Sequence, residues 1–467
     1  MVREPAQGST TTRPSHTDAG YPPRTGGPAT FGQLLRAHRT QRGLSLTQLA
    51  ALVHFNRGHV SKIETDKRPP SVSFAEACDR ELDVGNTFTT IASALEAASR
   101  HQQGWIQPAQ LPPAKKNFVG RRDHLTRLER LLPGDQHSLA LPVALISGPP
   151  GVGKTALAVQ AAHRAVNDGH FTDGQLFVNL QGPEPGTAAA PHDVLEDLLR
   201  AVGVPTDRIP TDLDQRAATF RSFLHGREIL LVLDNAANAQ QIYPLLPGSP
   251  GCAVIVTSRS RLPGLMSRVD ATTLPLAELC QPEAAMLIRA IIGDTRADAG
   301  PSAVTVLAER CGHLPLALVL AAEHIVSHQH HSADTLATEL KPEHARLNLA
   351  EGDIALRNAF DTSYRALDEQ SARMFRLLGI LPGHLIDATT TATPAGITHN
   401  EAARLLHSLA SAHLIRSQDE HHYHMHILLR AYAADLARKL DTQPQPTKAI
   451  HPTAKPAATP TQPSLVA

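Results

Sequence analysis

Eight consecutive residues, Gly148-Pro149-Pro150-Gly151-Val152-Gly153-Lys154-Thr155, have the spacing GxxxxGK[ST]. The chemistry of that spacing is phosphate binding. Its glycines let successive backbone N–H groups converge on phosphate oxygens. A lysine at the position of Lys154 reaches the terminal phosphates, a hydroxyl at Thr155 holds Mg²⁺, and Ala156 carries the cradle into a helix. The context agrees, because Leu141–Ile146 reads as a buried strand and Ala156–Ala165 as a helix. Downstream, Glu228–Asn235 is an apolar strand that ends in an acid, the Walker B pattern, and Asp234 is expected to bind Mg²⁺ directly or through water. Asn235 stands where a second carboxylate would orient or deprotonate water. An amide takes no proton, so tight binding with slow hydrolysis is expected. A further strand, Ala253–Arg259, ends in a cation that could reach a γ-phosphate if it lies beside Asp234.

A second kind of chemistry sits near the amino end. Phe31, Leu34, Leu35 and His38 share one helix face, and Gly43 ends that helix. Ser45 is a good N-cap for a second helix, which turns Leu46, Leu49, Ala50 and Val53 inward. After a turn at His54-Phe55, a third helix from Asn56 carries Val60 and Ile63 inward and leaves Arg57, Gly58, His59, Ser61 and Lys62 facing out. Residues 31–70 hold seven Lys/Arg against two acids, within a chain whose formal net charge is zero. This is a helix-turn-helix layout with a basic face suited to double-stranded DNA. Asn56, Arg57, His59, Ser61 and Lys62 are placed as readers, and Lys67 and Arg68 as phosphate contacts.

The elements that must position these groups fit a chain of 467 residues, enough for about three domains. Hydrophobic residues make up 42% and aromatics only 4%, which favours helix-rich packing. The expected order is a tail over 1–28, a DNA-binding domain over 29–95, a linker over 96–116, a nucleotide-binding domain over 117–275, a helical part over 276–348, a last part over 349–440 and a tail over 441–467. The tails and the linker stand out by Pro, Gly, Ser and Thr content. Four cysteines without a CxxC pair fit reduced thiols. With no signal-like segment and apolar runs too short to span a bilayer, a cytoplasmic protein with no membrane partner is expected. The histidines at 421, 422, 424 and 426 alternate on a strand-like segment without cysteine and read as compositional rather than metal-binding. His328, His330 and His331 read as solvated.

The run from Leu35 to Ala50, with Val60-Ser61-Lys62-Ile63-Glu64 and Lys67-Arg68-Pro69-Pro70, resembles the XRE/phage-repressor family. That resemblance implies a structural ion pair between Arg39 and Glu64. Leu46 stands where many members carry Gln. From Phe118 to about Ala434 the chain resembles an NB-ARC module of the STAND class of signal-transducing ATPases. Phe118-Val119-Gly120-Arg121 matches the opening motif whose backbone touches adenine, and Thr257-Ser258-Arg259 the sensor whose Arg meets the γ-phosphate. Gly312-His313-Leu314-Pro315-Leu316 matches the GLPL motif, whose Pro packs on adenine. Met425-His426-Ile427 matches the MHD motif, whose His meets the β-phosphate of ADP from a winged-helix subdomain. Ile427 replaces the family's Asp, which implies a looser lock on the ADP form.

The resemblance implies a multidomain fold: an all-α helix-turn-helix domain, an α/β P-loop NTPase domain, then helical and winged-helix subdomains. It implies ATP/ADP and Mg²⁺ as ligands and a homo-oligomer in the ATP state. It is similar to actinobacterial transcriptional regulators, which often carry tetratricopeptide repeats after this region. None is expected here, since the chain turns to low complexity near residue 440. Two alternatives stay open on the sequence: a slow NTPase whose amino-terminal unit binds protein, and a signalling or defence scaffold.

Overall fold

The computed structural model describes residues 30–102, 105–133, 139–182, 186, 188–298, 300–328, 330–351, 354–383 and 385–441. The two expected tails lie outside the described residues, apart from Asp441. The chain forms two compact units, divided between Trp105 and Ile106.

Among the described residues the first unit is five helices: α1 (Phe31–Gln41), α2 (Leu46–Leu52), α3 (Arg57–Glu64), α4 (Val72–Leu82) and α5 (Thr87–Gln102). Each of the first four starts where a short polar side chain can take a free backbone N–H. Thr30, Ser45, Asn56 and Ser71 accept from the third residue on. Leu35, Leu49, Val60, Ile63, Phe74 and Phe88 form the core. Inside it Arg39 grips Glu64, with Nε 2.5 Å from Oε1 and Nη2 3.1 Å from Oε2, while Nη1 donates to Leu44 O at 2.6 Å. The fork ties α1 to the end of α3 and raises the arginine's pKa.

The second unit is built on a parallel sheet in the order β2-β3-β4-β1-β5: β1 (Val143–Ser147), β2 (Gly174–Asn179), β3 (Ile229–Ala236), β4 (Ala253–Ser258) and β5 (Thr272–Pro275). β1 and β4 are buried throughout, and β3 nearly so, as expected of parallel strands covered on both faces. α6 (Arg122–Leu131) and α7 (Lys154–Asn167) lie on one face. Five helices follow between residues 281 and 339. Then come helices at Leu356–Arg365, Glu369–Ile380, Ala388–Ala395 and His399–Ser411, a small hairpin (Arg416–Ser417 with Tyr423–His424) and a last helix, Ile427–Leu440. Ile386 pairs with Tyr423 through a single antiparallel bridge.

One apolar cluster runs from Leu125 through Leu307 to Ala433 within the second unit, so the nucleotide-binding, helical and last parts of the expected order share a core. The stretch 96–116 is not a free linker. Its start continues α5, and its later part lies along β2, where Gln175 N donates to Pro108 O at 2.7 Å and Gln110 N to Gln175 O at 3.0 Å. The unpaired edge of β2 gains hydrogen bonds there that solvent would otherwise supply. His328 is exposed and His331 half-buried, as expected of solvated side chains, and their rings lie 4.2 and 5.1 Å from that of His324 between centres.

The Arg39–Glu64 fork generates a test. Removing one partner leaves the other charge buried, which costs about 3 kcal/mol or more. Arg39→Ala is expected to lower the unfolding temperature of the first unit, followed by circular dichroism. The double change Arg39→Met with Glu64→Leu is expected to recover most of the loss.

Candidate nucleotide site and nucleic-acid face

The loop at 148–153 forms because two of its glycines adopt conformations closed to other residues. Gly151 has φ +78° and Gly153 φ +93°. A Cβ on Gly151 would fall 3.0 Å from the Leu316 side chain. α7 therefore begins at Lys154, two residues earlier than its apolar pattern indicates.

Lys154 is buried, and its Nζ donates to Gly148 O and Pro149 O, both at 2.9 Å. Burial, reinforced by Arg259 and opposed by Asp234, pushes its pKa down to about 7. Asp234, also buried, accepts from Thr155 Oγ1 at 2.8 and 3.0 Å and from Thr257 Oγ1 at 2.6 Å. Asn235 follows at a break in the β3–β4 register with φ +59°, its N–H donating to Thr257 Oγ1 at 3.0 Å. β4 does lie beside β3, which brings Arg259 to the same end of the sheet.

Lys154, Thr155, Asn235 and Arg259 line a cavity of about 620 Å³, within the range of small-molecule sites, while Gly148 and Asp234 lie behind them and are not among its lining residues. Gly151, Val152, Gly153, Lys154, Thr155 and Ala156 line one end with Asn235 and Arg259. Val119, Arg121, Pro315 and Leu316 line it as well. The two halves are joined: Leu316 N donates to Gly151 O at 3.0 Å and Arg121 Nη2 to Val152 O at 3.3 Å. Thr155 and Asp234 present adjacent oxygens, the hard donors that Mg²⁺ prefers, so they suit the ion that accompanies phosphates.

Two residues do more than the sequence indicates. Arg259 reaches past the cavity to the Leu356–Arg365 helix, where Nη1 donates to Ala359 O and Ser363 Oγ, both at 2.8 Å. His426 does not line this cavity. Its Nδ1 accepts from Leu428 N at 3.2 Å, which leaves Nε2 to donate to Gly312 O at 2.8 Å. It belongs to a neighbouring cleft of about 700 Å³ with Pro149, His413 and His424. Ile427 packs on Gly312 in that contact. The Arg259 bonds to a helix a hundred residues on could not be read from sequence, since no pattern in either segment names the other.

On the first unit, Arg57, Lys62, Lys67 and Arg68 are exposed along and after α3. Asn56 spends its side-chain oxygen on the α3 cap, 2.7 Å from His59 N, and Ser61 is half-buried. His59, expected to face out, is half-buried. It stacks on Phe55 at 5.1 Å and meets the edge of Phe74 at 5.7 Å. Burial, then Arg68 and Lys62, lower its pKa, so it adds no charge to the basic face.

The depressed Lys154 gives a pH signature. Between pH 7 and its ordinary value near 10.5 the unfolded chain binds a proton there that the folded chain does not. Stability therefore rises with pH across that window. The unfolding temperature of wild type minus that of Lys154→Met, measured from pH 7 to pH 9, is expected to increase. A flat difference would show that the ammonium stays charged in its pocket.

Residues 30–87 match the helix-turn-helix domain family, and residues 117–277 the AAA ATPase domain family. The regulatory protein AfsR of Streptomyces griseus is 40% identical over 340 residues, covering 73% of this chain and 34% of that protein. AfsR of Streptomyces coelicolor is 36% identical over 414 residues, covering 88% of this chain and 40% of that protein. The chain thus spans little more than a third of the length of these relatives. A STAND protein with a tetratricopeptide repeat sensor from Pyrococcus horikoshii aligns with TM-score 0.34 and 17% identity over 70% of this chain and 44% of that one. The RuvB Holliday junction branch migration motor of Thermotoga maritima aligns with TM-score 0.35 and 15% identity over 71% and 98%. The chain joins a helix-turn-helix domain to an AAA ATPase domain and is homologous, over most of its own length, to the AfsR regulatory proteins.

Proposed function

We propose that this protein is a DNA-binding transcriptional regulator of the STAND/NB-ARC type whose state is set by the nucleotide it holds. The observation that carries the reading is the double reach of Arg259. One guanidinium lines the nucleotide cavity and also holds the Leu356–Arg365 helix through Ala359 O and Ser363 Oγ. A ligand that ends at the β-phosphate leaves those bonds in place. A γ-phosphate offers the same guanidinium a stronger, charge-assisted partner and competes with the helix. The helices and hairpin of residues 356–440 are the winged-helix subdomain that moves, and His426 on Gly312 O is its second hold on the body.

In this reading Val119, Arg121 and Pro315 bracket adenine. The loop from Gly148 to Ala156 cradles the phosphates, and Thr155 and Asp234 hold Mg²⁺, which supplies charge neutralisation when bound. The ADP form is closed. The ATP form opens and self-associates, and pairing two basic α3 faces raises DNA affinity by multivalency. Arg57, Lys62, Lys67 and Arg68 carry the DNA contact, with Asn56 and Ser61 at its margin. The support is their exposure, the helix-turn-helix match and the AfsR homology. Such a protein works in the cytoplasm.

DNA binding is expected to tighten at least about tenfold when a non-hydrolysable ATP analogue replaces ADP, and Lys154→Ala is expected to remove the difference. Equal affinity in both nucleotides, read by gel shift at fixed salt, would sink the switch. Hydrolysis gives a separate check. Asn235→Asp restores a carboxylate at a left-handed position that Asp tolerates. Phosphate release is expected to rise about tenfold or more over the wild type, within the usual range of general-base catalysis.

A further inference from the structure

Three imidazoles meet where the Pro315–Ser327 helix ends, away from the groups that line the nucleotide cavity. His324 is in the last turn of that helix and His328 is its C-cap, so the pair has the i, i+4 spacing that puts two histidines on one helix face. The turn that follows brings a third ring back to them. His328 N donates to His324 O at 3.1 Å, and His331 N to His328 O at 3.0 Å. The ring centres form a triangle: 4.2 Å from His324 to His328, 5.1 Å from His324 to His331 and 5.4 Å from His328 to His331. A metal bonded to an imidazole nitrogen at about 2.0–2.1 Å stands about 3.2 Å from the ring centre. Ring centres at that radius, seen at angles of roughly 80–115°, are about 4.1–5.4 Å apart, as these are.

We propose that His324, His328 and His331 form a site for a divalent transition metal of the zinc type, with three imidazole ligands and an open fourth position. The nitrogens are available for it. His328 Nδ1 lies 3.0 Å from His324 O and donates there, which leaves the lone pair on Nε2. His331 Nδ1 is buried and has no hydrogen-bond partner among the described residues. Burial, then the two neighbouring rings, lower the pKa of His324, so the cluster favours neutral imidazoles, the form that ligates. Glu351 and Glu339 act on His324 in the opposite sense and favour positive charge at this place. As the side chains stand, no three ligand atoms among the described residues surround one point. Backbone and χ1 set the ring centres, however, and χ2 of an imidazole is soft, so turning the rings aims the nitrogens with the centres in place. Metal there ties the helix end to the turn before the Ala333–Glu339 helix. It thereby fixes the far end of the helix whose Leu316 N is bonded to the phosphate loop.

The test is titration of Zn²⁺ into the full chain: wild type, His328→Asn, the double change His324→Ala with His331→Ala, and a control with His421→Ala and His422→Ala. His328 is exposed, so its replacement leaves the core untouched. Wild type and control are expected to take up one Zn²⁺ with micromolar affinity or better. His328→Asn is expected to weaken uptake at least about tenfold, and the double change to abolish it. Co²⁺ in place of Zn²⁺ is expected to give the intense visible absorption of a four-coordinate ion in wild type and control only. No saturable Zn²⁺ uptake by the wild type would overturn the assignment. So would uptake that survives His328→Asn and the double change unaltered, or that is lost in the control instead.

Discussion

A single buried carboxylate organises the end of the sheet beside the phosphate loop. Asp234 takes hydrogen bonds from Thr155 at the start of α7 and from Thr257 at the end of β4. A charge in that position is tolerable only if donors surround it, so the two hydroxyls are requirements rather than ornaments. Their presence fixes three elements to one point. With β3, β4 and α7 held there, the loop before α7 has a defined shape, and Lys154 has nowhere to lie but along its own loop carbonyls. The register break at Asn235 follows from the same point, because the backbone must turn once the carboxylate has been delivered.

Much of this was legible. The phosphate loop, the Asp234 strand and the Arg259 strand are short apolar runs that end in a polar group, and a parallel sheet buried on both faces writes itself that way. The helix starts in the first unit were equally plain, since Ser45 and Asn56 cap as their side chains dictate. The Arg39–Glu64 pair was read from a family resemblance and is present.

What could not be read depends on contacts between distant segments. His59 is half-buried because its ring lies against Phe55 and Phe74, and Phe74 comes from another helix. His426 meets a turn rather than the phosphate cavity because Gly312, without a side chain, lets the imidazole come close. Leu307, Phe360 and Tyr432, from the expected helical and last parts, belong to one core, and which of their apolar faces meet depends on contacts that no local pattern records.

The strand-like segment at Pro108–Gln110 has a practical consequence. By pairing with Gln175 it covers the outer edge of β2, and His163 Nε2, 2.7 Å from Pro112 O, pins the chain that follows onto α7. An exposed sheet edge is a template for pairing with other chains. A fragment cut at the conventional start of the ATPase domain would bare that edge and the floor beside it. The natural unit of this half of the molecule begins near residue 106, and its first few residues act as a selvedge that keeps the sheet from fraying into its neighbours.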